Sequence, residues 1–218
     1  MGRDICVFIE CKEGNIRKTN FELLTKAKEL AGKLSSNLLA VLIGSEVTNL
    51  AEALKPYAEK VIVVDKENYR DYRWDTYTDA LEYIEKKYTP YLVIGASTIT
   101  GKDLLPRFAA RIGACFISDA TGIEITDSVL KVKKPIYGGK IISWVSPKNT
   151  DKVVITFRPN SFSIEKGDKT GEIIEERLDA KTDKRMNLID RTKGQSKKID
   201  LQEADFIVCG GRGMKGPE

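Results

Sequence analysis

Between Tyr91 and Ile123 the chain contains one βαβ unit, and that unit restricts the fold more than any other stretch. Tyr91-Leu92-Val93-Ile94 is a short apolar run that ends on Gly95 and a loop of small and hydroxyl residues. Leu104, Leu105, Phe108, Ala109 and Ile112 then recur at helical spacing. A second apolar run, Ala114 to Ile117, is broken by Ser118-Asp119. Strands that are apolar at successive positions belong to parallel sheets covered on both faces, and a parallel pair needs a crossover helix between its strands. Pro106 has no backbone donor, so the helix is expected to start near Asp103, with the proline inside its first turn.

The preceding residues repeat the same alternation. Asp4 to Glu10 reads as a first strand, and Thr19-Asn20-Phe21-Glu22 has the form of a capping box at the start of a helix. Leu24, Ala27, Ala31 and Leu34 give that helix one apolar face. Leu38 to Ile43 is a second strand, Val47 to Leu54 a short helix stopped near Pro56, and Lys60 to Val64 a third strand. Tyr77, Ala80, Leu81, Ile84 and Tyr88 mark the helix that leads into the Tyr91 strand. The expected fold class is α/β, a doubly wound, mostly parallel sheet with helices on both faces.

After Asp119 the pattern changes to short strands separated by turn signals. Thr121 to Thr126, Val129 to Lys134, Lys140 to Val145 and Val153 to Phe157 are expected to form an antiparallel extension, with one further strand over Ile173 to Asp179. Thr192 to Lys198 is polar and reads as an interdomain linker. Beyond it, Asp205-Phe206-Ile207-Val208-Cys209 is apolar and is followed by Gly210-Gly211-Arg212-Gly213. A buried strand and a glycine turn normally begin a new βα unit, so this ending reads as the start of a second domain.

Composition removes several chemistries. The chain has no histidine, which excludes Ser-His-Asp and Cys-His nucleophilic catalysis and imidazole metal ligation. Cys6, Cys11, Cys115 and Cys209 form no C-x-x-C pair, so neither a zinc site nor a redox dithiol is indicated. The 36 basic and 32 acidic residues are interspersed, and no aromatic-interleaved basic stripe points to nucleic acid. Met1-Gly2-Arg3-Asp4 leads straight into the first strand, no run is long enough to span a bilayer, and the expected location is the reducing cytoplasm. Gly95, Gly101 and Lys102 imitate a P-loop, but five residues separate the glycines and Asp103 stands where a magnesium-binding hydroxyl is required.

Four pieces of the chain, in order, resemble the α subunit of electron-transfer flavoproteins. Gly101-Lys102-Asp103-Leu104-Leu105-Pro106-Arg107-Phe108-Ala109-Ala110, followed by Ile117-Ser118-Asp119, is similar to that family's G-[KR]-[DN]-L-x-P-R-x-A-A helix and I-S-D segment. Pro135-Ile136-Tyr137-Gly138-Gly139 resembles its P-I-Y-[AG]-G segment, and Thr156-Phe157-Arg158-Pro159 its T-x-R-P strand. Ala204 to Val208 with Gly210-Gly211-Arg212-Gly213 resembles the entry to its flavin-binding domain.

The resemblance implies a heterodimer with a β subunit and FAD as the cofactor of the complete protein. It also implies a carrier role between dehydrogenases, such as acyl-CoA dehydrogenases, and a quinone reductase or other acceptor. On that basis residues 1–192 are expected to form an α/β scaffold domain that packs on the β subunit, 193–203 a linker, and 204–218 the first strand and glycine turn of a truncated FAD-binding domain. Gly210, Gly211, Arg212 and Gly213 are the cofactor-binding candidates: glycines permit positive φ and close approach, and the arginine fork suits a phosphate or a flavin edge. No residue is assigned a catalytic or metal-binding role, and these 218 residues alone are expected to bind little flavin, because one turn cannot enclose it.

Lys140 stands where the family commonly has asparagine, and the family's later flavin-contacting motifs have no counterpart in this sequence. Arg107 and Asp119 are read as members of an ion pair, and Arg158 as a tie between the extension and the core. Two other readings compete. A nucleotide-binding enzyme of the adenine-nucleotide hydrolase-like fold needs a phosphate loop after the first strand, where this chain has Glu10-Cys11-Lys12-Glu13-Gly14. A cofactor-free interaction module needs only a partner.

Overall fold

The computed structural model describes residues 3–126, 129–178, 188–190, 204, 206–214 and 216. By its contacts the chain divides into two units, Met1–Met186 and Asn187–Glu218. The first unit is built on seven parallel strands: β1 (Ile5–Ile9), β4 (Leu38–Gly44), β5 (Lys60–Asp65), β6 (Leu92–Ala96), β7 (Cys115–Ala120), β11 (Val153–Phe157) and β12 (Glu172–Glu175). They lie in the order β12-β5-β4-β1-β6-β11-β7. A two-stranded ribbon, β2 (Cys11–Lys12) with β3 (Asn15–Ile16), follows β1 directly. A separate antiparallel sheet holds β8 (Gly122–Thr126), β9 (Val129–Ile136) and β10 (Ile141–Val145) in the order β10-β9-β8.

Side-chain alternation along the strands divides the core in two. Ile5, Val7 and Ile9 pack with Leu23, Leu24, Ala27 and Leu30 of α1 (Lys18–Leu34) on one face. Cys6 and Phe8 pack on the other face with Tyr77, Leu81 and Ile84 of α2 (Trp74–Tyr88) and with Leu104, Leu105 and Phe108 of α3 (Ile99–Ile112). Helices therefore cover both faces, as the doubly wound reading expects. No helix among the described residues is long and apolar enough to cross a membrane.

Several local expectations are corrected. Val153–Phe157 is not part of the antiparallel extension: it inserts as β11 between β6 and β7, parallel to both. All five of its residues are buried, which only a position covered on both faces provides. The strand expected over Ile173 to Asp179 forms at Glu172–Glu175 and joins the parallel sheet at the β5 edge.

The helix expected to begin near Asp103 begins at Ile99, because Thr98 caps it by accepting the Gly101 N–H at 3.0 Å. Pro106 is consequently inside the helix. The Thr19–Glu22 capping box does not form either, since α1 starts at Lys18 with Arg17 as its N-cap. The Glu22 carboxylate turns instead to the backbone N–H groups of Asn160, Ser161 and Phe162. The segment Val47 to Leu54 yields only a 3-10 turn, Thr48–Ala53, anchored by Asp65, which accepts the N–H groups of Glu46, Val47 and Thr48.

Candidate functional site

Three regions bear on function: the crevice where the sheet changes direction, the network around Asp119, and the free edge of the antiparallel sheet. The crevice lies between β1 and β6, whose following helices, α1 and α3, pass to opposite faces. Open α/β sheets bind ligands at such a point, outside the carboxyl ends of the strands. Here the first residue after β1 is Glu10, and its Oε2 accepts a 2.5 Å hydrogen bond from Thr98 Oγ1 across the gap. Arg17 Nε lies 3.2 Å from Glu10 Oε1, and both side chains are nearly buried. The Asn20 amide holds the Glu10 backbone from both sides, accepting its N–H at 3.1 Å and donating to its carbonyl at 2.8 Å. Instead of a phosphate-cradling glycine loop, the chain turns sharply at Glu13-Gly14, both with positive φ, into the β2–β3 ribbon.

The Asp119 network gathers the ends of β7 and β11. Arg158 Nε and Nη2 both donate to Asp119 Oδ2, at 2.9 and 2.6 Å. The Arg158 guanidinium holds the Asp119 carboxyl below the usual aspartate range. Asp119 adopts φ +60, and its N–H donates to Thr156 Oγ1 at 3.0 Å. Lys134 of β9 donates to the Ser118 carbonyl and hydroxyl, fastening the antiparallel sheet to the core. Arg158 does not tie the extension to the core as its sequence position suggested: it joins β11 to β7 within the parallel sheet, and Lys134 makes the tie to the extension, while Arg107 and Asp119 are not brought together. Arg107 pairs with Asp103 at 2.9 Å and lies 5.0 Å over the Trp74 ring. Asp103 also accepts the Tyr72 hydroxyl at 2.6 Å, so the charged residues of the Gly101–Ala110 motif join α3 to the α2 region.

The antiparallel sheet sends Ile123, Leu130 and Val132 into the core. Among the described residues its edge strand β10 pairs only with β9. Ile141, Ile142 and Trp144 of this edge are each 50% exposed, and Tyr137 at its approach is 75% exposed. Tyr137, Gly138 and Gly139 all have positive φ, which two glycines make possible in succession. Trp144 lies opposite Lys133, and Ile142 opposite Pro135, so apolar and basic groups share one face. An uncharged, apolar edge strand with free main-chain groups is a ready template for a second chain. Its sequence, Ile141-Ile142-Ser143-Trp144-Val145, carried that signal but reads equally well as an internal strand.

Within the second unit, Gly210, Gly211, Arg212 and Gly213 are all exposed. The glycine run does not use positive φ; that conformation occurs later, at Gly216. A side chain at Gly211 or Gly213 would meet nothing nearby, whereas one at Gly210 would press on Met214. Phe206 to Val208, expected as part of a strand, have no regular structure and are exposed, because the four apolar residues Phe206 to Cys209 bury nothing without neighbouring strands. The expected linker over 193–203 lies outside the described residues. The four candidate residues do not enclose a flavin-sized group by themselves.

Comparison with known proteins adds an independent line. The family model described as the electron transfer flavoprotein domain matches residues 5–181. The electron transfer flavoprotein subunit alpha of Thermoanaerobacterium thermosaccharolyticum is 32% identical over 221 aligned residues, covering 99% of this chain and 67% of the relative. The subunit of the same name from Bacillus subtilis is also 32% identical, over 100% of this chain and 67% of its own length. A subunit of the lactate dehydrogenase (NAD(+),ferredoxin) of Acetobacterium woodii, LctC, is 32% identical over 98% of this chain and 52% of its own length.

Proposed function

Because the chain belongs to the electron transfer flavoprotein family, we propose that it works as the α subunit of a heterodimeric FAD carrier. In that role it passes electrons from dehydrogenases, such as acyl-CoA dehydrogenases, to a quinone reductase or another acceptor. The observation that carries the reading is the family match over 5–181 together with two relatives named subunit alpha that align along nearly the whole chain. The redox chemistry belongs to the flavin. What these residues contribute is a rigid platform and a docking edge.

The docking edge is β10. Ile142 and Trp144 supply apolar contact, the free main-chain groups of the strand supply hydrogen bonds, and the partner that covers them is the β subunit. Gly210, Gly211, Arg212 and Gly213 form one wall of the flavin site, with the remaining walls contributed by other protein. The chain spans about two thirds of the length of the relatives named above as subunit alpha, which leaves ample sequence in such proteins for those walls. A nucleotide-using enzyme is the weaker reading, since Glu10 places a negative charge at the switch-point crevice where a phosphate would sit.

The test is co-expression with an electron transfer flavoprotein β subunit, followed by size-exclusion chromatography with light scattering. The wild-type chain is expected to elute as a 1:1 complex, and Trp144→Lys with Ile142→Lys to elute alone while keeping its melting temperature. A complex that survives both lysines places the interface elsewhere; failure of the wild-type chain to bind any β subunit removes the subunit reading.

A further inference from the structure

Glu10 makes a set of contacts that neither the subunit role nor the interface requires. Its carboxylate touches the N-cap residues of two helices on opposite faces of the sheet: Arg17, which caps α1, and Thr98, which caps α3. The positive ends of both helix dipoles therefore converge near one internal anion. α1 has no side-chain cap and no acidic residue in its first turn, so the Glu10 carboxylate is the negative group placed beside that end. One residue before Thr98, the Ser97 hydroxyl is buried, with no hydrogen-bond partner among the described residues. This meeting of two helix N-termini, a buried guanidinium and an unspent hydroxyl falls at the switch point between β1 and β6, where sheets of this class take up phosphate-bearing ligands.

We infer that Glu10 is a built-in substitute for a phosphate: its carboxylate fills the anion position of the switch-point crevice and closes this chain to phosphate monoesters. Thr98 and Arg17 hold it there, and the chain runs on from Glu10 directly into the β2–β3 ribbon. A phosphate brought to this point meets a like charge a few ångströms away and no free donor from Thr98. Replacing the carboxylate with a neutral group removes the competing charge and leaves the Thr98 hydroxyl and both helix ends to an external anion.

The experiment compares the full chain with Glu10→Gln and Glu10→Ala, using inorganic phosphate and adenosine monophosphate as probes. Binding is read by calorimetry, and by the rise in melting temperature on adding phosphate relative to chloride at equal ionic strength. Melting also reports on a variant that is only marginally folded. The expected result is no measurable binding by wild type and at least about tenfold tighter binding by the neutral variants, the effect of removing one nearby like charge in a nearly buried site. Gain for both probes identifies the bare phosphate as the recognised group; gain for the nucleotide alone shows that the base is also held. Neutral variants that respond to neither probe more than wild type does, or a wild-type chain that binds as well as they do, overturn the inference.

Discussion

Arg158 grips Asp119 through two donors on one carboxylate oxygen, and Asp119 is held there in a left-handed backbone conformation. That conformation costs an ordinary residue on the order of 1 kcal/mol, so the pair offsets local strain as well as joining β7 to β11. Arg158 and Asp119 are 46% and 30% exposed, which limits their coupling through solvent screening. Arg158→Ala and Asp119→Ala should give a double-mutant coupling of about 0.5–1 kcal/mol in chemical denaturation, weakening with salt. Asp119→Gly should cost less than Asp119→Ala, since glycine accepts positive φ freely. Because the folded-state pKa of Asp119 is depressed, its contribution is complete above the ordinary aspartate range and disappears as pH falls through that lowered value.

Glu176 should be the costliest single carboxylate to remove near the β12 edge. Its side chain is 5% exposed and accepts from Tyr83, Lys87 and Tyr88, at 3.1, 2.7 and 2.5 Å for the shortest bond to each. Burial alone would raise its pKa, but the Lys87, Tyr88 and Tyr83 hydrogen bonds outweigh burial and lower it. Glu176→Ala leaves two tyrosine hydroxyls and an ammonium without their acceptor, and should lower unfolding free energy by about 1–3 kcal/mol. Glu176→Gln should recover part of this loss. The stabilisation is present above the ordinary glutamate range and is lost on acidification below it, which urea titrations at a series of pH values will show.

Gly101→Ala should destabilise the chain although Gly101 sits in a helix, where alanine is normally the better residue. A Cβ at this position overlaps the backbone carbonyl of Ala96, which cannot rotate away. Forced displacement of the α3 start should cost about 1–3 kcal/mol, read as a lower melting temperature. Gly32→Ala in α1, where a Cβ meets nothing within 4 Å, should be neutral or stabilising.

Thiol reactivity should separate the four cysteines. Burial pushes Cys6 up to about 12 and, with help from Glu10, Cys11 also up to about 12. Cys209 is exposed. At mildly alkaline pH a disulfide reagent should label Cys209 first and Cys6 only when the chain unfolds. Fast labelling of Cys6 in the folded protein would contradict the burial of β1.

Much of this architecture is readable in the residues themselves. The apolar runs at Ile5, Leu38, Lys60 and Leu92 specify parallel strands because each is too uniformly apolar to expose a face, and the 3.6-residue spacing of Leu24, Ala27, Leu81 and Phe108 specifies helices. Helix starts were less readable. Thr19 and Glu22 satisfy a local capping rule, yet a distant turn at Asn160–Phe162 claims Glu22, and no local pattern announces such a partner. The glycine run at 210–213 was legible as a turn but not as a site, since a cofactor wall depends on what faces it.

Composition and periodicity by themselves determine that this chain is a doubly wound α/β protein without histidine chemistry, because hydrophobic burial is a local property that each segment advertises. Tertiary structure alone decides that Val153–Phe157 enters the main sheet, that Arg158 rather than Arg107 meets Asp119, and that Glu10 reaches across to Thr98. Each of those outcomes joins residues tens of positions apart. Strand order places them together, and strand order follows from how all the faces are covered at once.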